Sequence, residues 1–213
     1  MDWQTTVYFL IGLAIGVVFH EYMHGRVADM LGDHTARNAG RLTLNPIPHI
    51  DPFGTILLPL ALIVFRSPFL FGYAKPVPVN PFFFKNPRRD MMLVALAGPL
   101  TNFALAFLVA MIGMVIRLAG VNPFGSANEI FVALFLIAEI NVVLAFFNLI
   151  PVPPLDGSHI VEFFLPPRAQ KTYESMAPYG FMVILLFLWL LGDQFFSWMS
   201  PIFRLLSVII VGA

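Results

Sequence analysis

No cysteine occurs in the 213-residue chain. Disulfides and thiolate metal sites are therefore excluded, and cysteine usage says nothing about the redox compartment. Charge is scarce as well: only 11% of residues are charged, and 12 Lys+Arg balance 12 Asp+Glu. A net charge of zero gives no electrostatic reason to expect nucleic acid or an acidic partner. Long polar stretches are missing, which leaves no room for an added soluble domain. The opening residues, "MDWQTTVYFLIGLAIG", have neither a basic n-region nor a small-residue cleavage site. They read as the first helix of the mature protein, not as a signal peptide. Internal repeats and low-complexity tracts are absent too.

What is abundant is apolar residues, at 59% of the chain with a mean hydropathy of +0.83. A soluble domain is nearer half apolar and a quarter charged, so this chain belongs to the bilayer. Apolar runs cover residues 5–31, 54–71, 90–118, 128–149 and 178–211, the last broken by "GDQ" at 192–194. A spanning helix needs roughly 20 apolar residues. The composition thus predicts an all-α, polytopic membrane bundle of about five to six transmembrane segments, forming one domain over residues 1–213.

Charge decides how the 54–71 run is placed. It contains Arg66 and is interrupted by Pro59 and Pro68. Arg26, Arg37 and Arg41 precede it, and Lys75, Lys85, Arg88 and Arg89 follow it. A crossing would put these basic loops on opposite faces, against the positive-inside tendency. A re-entrant segment keeps residues 25–90 on one face and is tolerated where protein or water covers the irregular backbone. With Arg168 and Lys171, 10 of the 12 basic residues then lie on the cytoplasmic side. The proline-rich stretches 35–53 and 72–87 cannot hold regular helix. Short cytoplasmic-side strands at "RLTL" and "KPVPV" are expected, with an edge able to hold an extended peptide.

The chemistry begins in the first apolar run, where "HEYMH" sets His20, Glu21 and His24 within five residues. Ionisable groups are expensive in hydrocarbon and face a protein interior or a cavity. Residues four apart share a helix face, so both imidazoles can reach one tetrahedral metal at about 2.0–2.1 Å. Glu21 is swung about 100° round the helix and can serve as general base without being a ligand. Buried polar residues that merely pair with one another are the bland alternative. The third ligand is open among His34, His49, Asp51, Asp156 and His159. His34 lies in a polar turn, whereas His49 and Asp51 could line an entrance. Asp156 is favoured: it follows the rigid proline run after the 128–149 helix, at the depth of the histidines, though an N-cap role is the alternative.

"HEYMH", then "AGPLTN" at 97–102, then "NLIPVPPLDG" at 148–157, resembles the site-2 protease family of intramembrane zinc metalloproteases, in the minimal form without PDZ or CBS domain. The resemblance covers roughly residues 5–160, with a three-helix catalytic core at 5–31, 90–118 and 128–149 and a metal-ligand loop at 148–160. It implies one Zn2+ ion held by His20, His24 and Asp156. Glu21 would be the general base, and Asn148 would act in catalysis and substrate binding. Asn102, at a matching position of the middle helix, would be substrate-binding. The implied reaction is endoproteolysis in or near the transmembrane segment of a single-pass protein, in the plasma membrane of a prokaryote, with the site toward the cytoplasm. The implied partners are that substrate and the lipid bilayer, with no nucleic acid; nothing bears on oligomeric state. A non-cleaving zinc-holding scaffold and a metal or proton transporter are the rival readings. Glu139 and Asn141, midway along "FLIAEINVVL", receive no role.

Overall fold

The computed structural model describes residues 3–64, 72–126 and 128–212. Helix α1 spans Trp3–Met30 and is followed by the single turn α2, Thr35–Asn38. A π-helical turn at Pro52–Leu57 runs into α3, Leu58–Val64. The long helices α4 (Pro87–Leu118) and α5 (Asn128–Asn148) come next. The short α6 (Asp156–Phe164) and α7 (Pro167–Glu174) lead to α8, Gly180–Ile210. Asn86 and Pro87 open α4, the ring of Pro87 occupying a first-turn position whose amide has no partner inside the helix.

Helices α1, α4 and α5 pack against one another as a three-helix core, and α8 lies against α4 and α5. Lipid tails are as apolar as leucine, so the helices are joined by close fit and hydrogen bonds, not by escape from water. Small residues make that fit. A Cβ at Gly12 would stand 2.9 Å from Ile140 Cγ2, and one at Gly16 only 2.7 Å from Leu144 Cδ1 and 2.8 Å from Asn141 Oδ1. Against α8, Ala106, Ala110 and Ala138 join Phe131, Met199 and Ile210 in one buried cluster. Polar side chains mark which helix ends meet. Gln4 and Tyr8, near the start of α1, donate to Glu129 at the start of α5.

Three readings from the sequence meet the fold here. Among the described residues, four segments are long and apolar enough to cross a membrane, Trp3–Met30, Pro87–Leu118, Asn128–Asn148 and Pro167–Ile210, against about five to six expected for the whole chain. The C-terminal run is one continuous helix, because Gly192, Asp193 and Gln194 keep helical geometry. No strand forms among the described residues: "RLTL" and "KPVPV" are irregular or extended without a ladder. Pro76 and Pro78 lack donors, and the one amide between them, on Val77, is taken by a side chain.

Of the expected re-entrant run, residues 65–71 lie outside the described residues. The described part, Pro52–Val64, is about 20 Å long at 1.5 Å per residue, short of a ~30 Å hydrocarbon core. Its two flanks meet: Tyr73 N–H donates to the Gly54 carbonyl at 3.1 Å, and Thr55 Oγ1 donates to the Tyr73 carbonyl at 2.9 Å.

The close approach at Gly16 yields a stability prediction. Gly16→Val overpacks the α1–α5 contact and lowers stability by about 1–3 kcal/mol. Gly192→Ala, where an added methyl meets open space, leaves the melting temperature in detergent unchanged or slightly raised.

Candidate metal centre

His20 and His24 project from one face of α1, both buried, with ring centroids 4.5 Å apart. The third group comes from the far end of the core. Asn148 ends α5, the chain turns through Pro151, Pro153 and Pro154 with a cis peptide between the last two, and Asp156 begins α6. This turn is pinned on several sides. Tyr173 Oη donates to the Pro151 carbonyl at 2.8 Å, and Gly157 lies so close to the Leu149 carbonyl that a Cβ would stand 2.3 Å from it. The alternative of an N-cap is settled by position. Leu155 is the cap residue, and the Asp156 carboxylate turns toward the histidines.

Asp156 Oδ2 stands 3.1 Å from His20 Nε2 and 3.3 Å from His24 Nε2. The ligand atoms of all three residues lie within 4.8 Å of one another. Oδ2 is buried without a well-aligned hydrogen-bond donor.

The other ring nitrogens explain why. His20 Nδ1 is 2.6 Å from Asn102 Oδ1, and His24 Nδ1 is 2.7 Å from the Val94 carbonyl oxygen. Both partners accept, so each imidazole carries a proton on Nδ1 and, when neutral, turns a bare Nε2 toward Asp156. Two lone pairs and a carboxylate at this spacing repel one another unless a cation lies between them. Ligands about 2.0–2.1 Å from a tetrahedral ion stand roughly 3.3–3.4 Å apart, close to the separations found. The donor set thus fits a zinc ion, and its outer partners are of the kind that orient metal-bound histidines.

Helix α4 forms the wall of this space. Pro99 lacks an amide, so the Ala95 carbonyl four residues back has no partner from it inside the helix, and the neighbouring Val94 carbonyl receives His24. Next to Pro99, Gly98 is indispensable: a Cβ there would stand 2.5 Å from His24 Nε2 and 2.6 Å from His20 Nε2. Glu21 lies one residue along from His20, partly buried, and its Oε2 accepts from the Val77 amide at 2.8 Å. Val77 itself packs against Gly25, so the extended proline segment lies along α1 beside the histidines.

The remaining expected residues fall as follows. Asn102, expected to bind substrate, is fully buried behind His20, and its polar atoms bond to His20, Gly16 and Asn141. Asn148 Nδ2 donates to the Leu144 carbonyl of its own helix at 3.0 Å. His34 bonds to Asp29, and His49 Nε2 donates to the Thr43 carbonyl. Asp51 caps the Pro52 turn through Phe53 and Gly54 amides, and His159 pairs with Glu162. None of these four belongs to the metal group. Val77, Gly98 and Asn141 were missed as parts of the site. The prolines flanking Val77 and the Gly98–Pro99 pair were visible signals, but their meaning depends on packing.

The family model described as "Peptidase family M50" matches residues 8–130 and 125–191. A protein named "Putative zinc metalloprotease YwhC" from Bacillus subtilis (strain 168) is 41% identical over 181 residues, 84% of this chain and 78% of that one. "Putative zinc metalloprotease Rip2" of Mycobacterium tuberculosis (strain H37Rv) is 30% identical over 205 residues, 95% of this chain and 75% of its own. "Putative zinc metalloprotease MJ0611" of Methanocaldococcus jannaschii is 29% identical over 160 residues, 72% of this chain and 69% of its own. No solved structure matches the chain.

Gly98 provides a test of the site that leaves every polar group in place. Gly98→Ala improves helix propensity, by up to about 1 kcal/mol, yet pushes a methyl between the ligands. The variant is expected to fold and to lose stoichiometric zinc, counted by metal analysis of the purified protein.

Proposed function

The chain belongs to peptidase family M50, the site-2 protease family, and from that premise we propose that it is a multi-pass membrane zinc metalloprotease that cleaves within the bilayer. The observation that carries this reading is the convergence of His20, His24 and Asp156 around one buried point, with Glu21 beside it. The substrate we assign is a single-pass membrane protein, cut in or near its transmembrane segment. Nucleic acid has no part in this reading, and the lipid bilayer is the solvent for both.

In this reading His20, His24 and Asp156 hold one zinc ion, which supplies Lewis acidity to a substrate carbonyl and to water. Glu21 takes a proton from the attacking water and hands it to the departing amine. The Val77 amide holds one oxygen of that carboxylate and keeps it beside the histidines. Asn148 has one amide hydrogen engaged by Leu144, and its second is the donor we assign to the developing oxyanion or to the peptide backbone. The substrate helix must first unwind, because its own hydrogen-bond ladder shields the scissile bond.

Water reaches the site from the side where the basic loops lie, assigned to the cytoplasm by the positive-inside tendency. In this reading the protein sits in the plasma membrane of a prokaryote. The meeting of Gly54 with Tyr73 supports a segment that enters and returns on that same side. His20 is 17 residues, about 26 Å, from the start of α1, so it lies nearer the opposite face, where such a polar frame can hydrate it.

The experiment is cleavage of a single-pass test protein in reconstituted membranes by wild type and Glu21→Gln, with zinc counted in both. The mutant is expected to retain zinc and to cut about 10²–10⁴-fold more slowly. Cutting at the wild-type rate by the mutant would sink Glu21 as base. Zinc retained with no Glu21-dependent cutting of any test protein would favour the scaffold, and zinc moved across the vesicle wall would favour the transporter.

A further inference from the structure

Asn141 lies in the middle of α5, fully buried, and takes no part in the chemistry above. Four residues before it, the Ile137 carbonyl can only accept, and Asn141 Nδ2 donates to it at 2.8 Å. That bond fixes which way the Asn141 amide points. Its Oδ1 therefore faces Asn102 and accepts from Asn102 Nδ2 at 2.9 Å. The second hydrogen of Asn102 Nδ2 goes to the Gly16 carbonyl at 3.1 Å, again a group that can only accept. With both hydrogens committed, Asn102 offers His20 only its Oδ1, at 2.6 Å.

We infer that Asn102 and Asn141 are positioning residues: a relay of two amides, oriented by the Ile137 and Gly16 carbonyls, that locks His20 in the Nδ1–H tautomer and leaves Nε2 free for metal. His24 reaches the same state in one step, through the Val94 carbonyl. The relay links all three core helices, since its members come from α1, α4 and α5. At this depth no bulk water replaces a lost partner, so a broken link leaves a buried donor unsatisfied and frees the next amide to turn. The same links explain Gly16, where any side chain would strike Asn141 Oδ1. The inference rests on His20 being a zinc ligand, the reading proposed above.

The test uses the full chain in detergent, with zinc affinity measured by chelator competition and the His20 ring read by ¹⁵N NMR without metal. Wild type is expected to show a single Nδ1–H tautomer. Asn102→Ala is expected to show a mixture and to bind zinc about 10–100-fold more weakly. Asn141→Ala is expected to lose about tenfold, because Gly16 still holds one hydrogen of Asn102. Asn141→Ser can donate back to the carbonyl four residues earlier and accept from Asn102, and should bind within a few-fold of wild type. Serine and alanine differ by one oxygen, so a role in packing alone moves them equally. Equal losses for these two, or an unchanged His20 spectrum in Asn102→Ala, overturn the relay. If Asn102→Ala does not fold, the serine and alanine pair at 141 decides. A single Nδ1–H tautomer in a wild type that binds no zinc would instead sink the metal reading and leave the relay standing.

Discussion

Everything in this molecule depends on holding one carboxylate oxygen 3.1 and 3.3 Å from two imidazole nitrogens in a buried space. Left alone, such groups repel, take up protons or draw in water, and in hydrocarbon each alternative is costly. The arrangement persists because each group is held from behind. Acceptors at Asn102 and Val94 fix the imidazole protons, and a pinned proline turn delivers Asp156. A cation placed between these groups would relieve the repulsion, and the protein holds the ligands ready for one.

The close helix contacts serve that same need. Membrane helices gain little by burying leucine against leucine, so they approach through glycine and alanine and are joined by polar side chains. In α1 both devices occur on one face: Gly12 and Gly16 admit α5, and the Gly16 carbonyl accepts from Asn102 one turn before His20. In α4, Gly98 clears the space between the histidines while the Val94 carbonyl one turn earlier receives His24. Fold and site are therefore the same set of contacts, and a change to the helix packing is a change to the ligand geometry.

The proline-rich segments, read from the sequence as strands, take a different part. A strand needs a row of donors, and alternating prolines leave too few. Between Pro76 and Pro78 a single amide survives, and it meets the Glu21 carboxylate. Farther along, the Asn80 amide meets the fully buried Asp33 at 2.6 Å, which ties the segment to the turn after α1. The segment is extended, as its composition requires, but its Val77 and Asn80 amides go to acidic side chains instead of a neighbouring strand.

The sequence by itself determined the bilayer setting, the long apolar helices and the His20, Glu21 and His24 constellation, because each rests on local composition or on spacing within one helix. Asp156 was legible too, since three prolines and a glycine around a lone aspartate narrow its possible roles. Only the tertiary structure decided the rest. Asn102 and Asn141 are ordinary polar residues in their own helices, and nothing local tells a substrate contact from a partner of His20. Whether Gly98 is a wall of the site, whether Val77 meets Glu21, and whether the C-terminal run is one helix all depend on which surfaces meet. Spacing along one helix is set by 3.6 residues per turn, whereas contacts between helices are set by packing across many residues far apart in the chain.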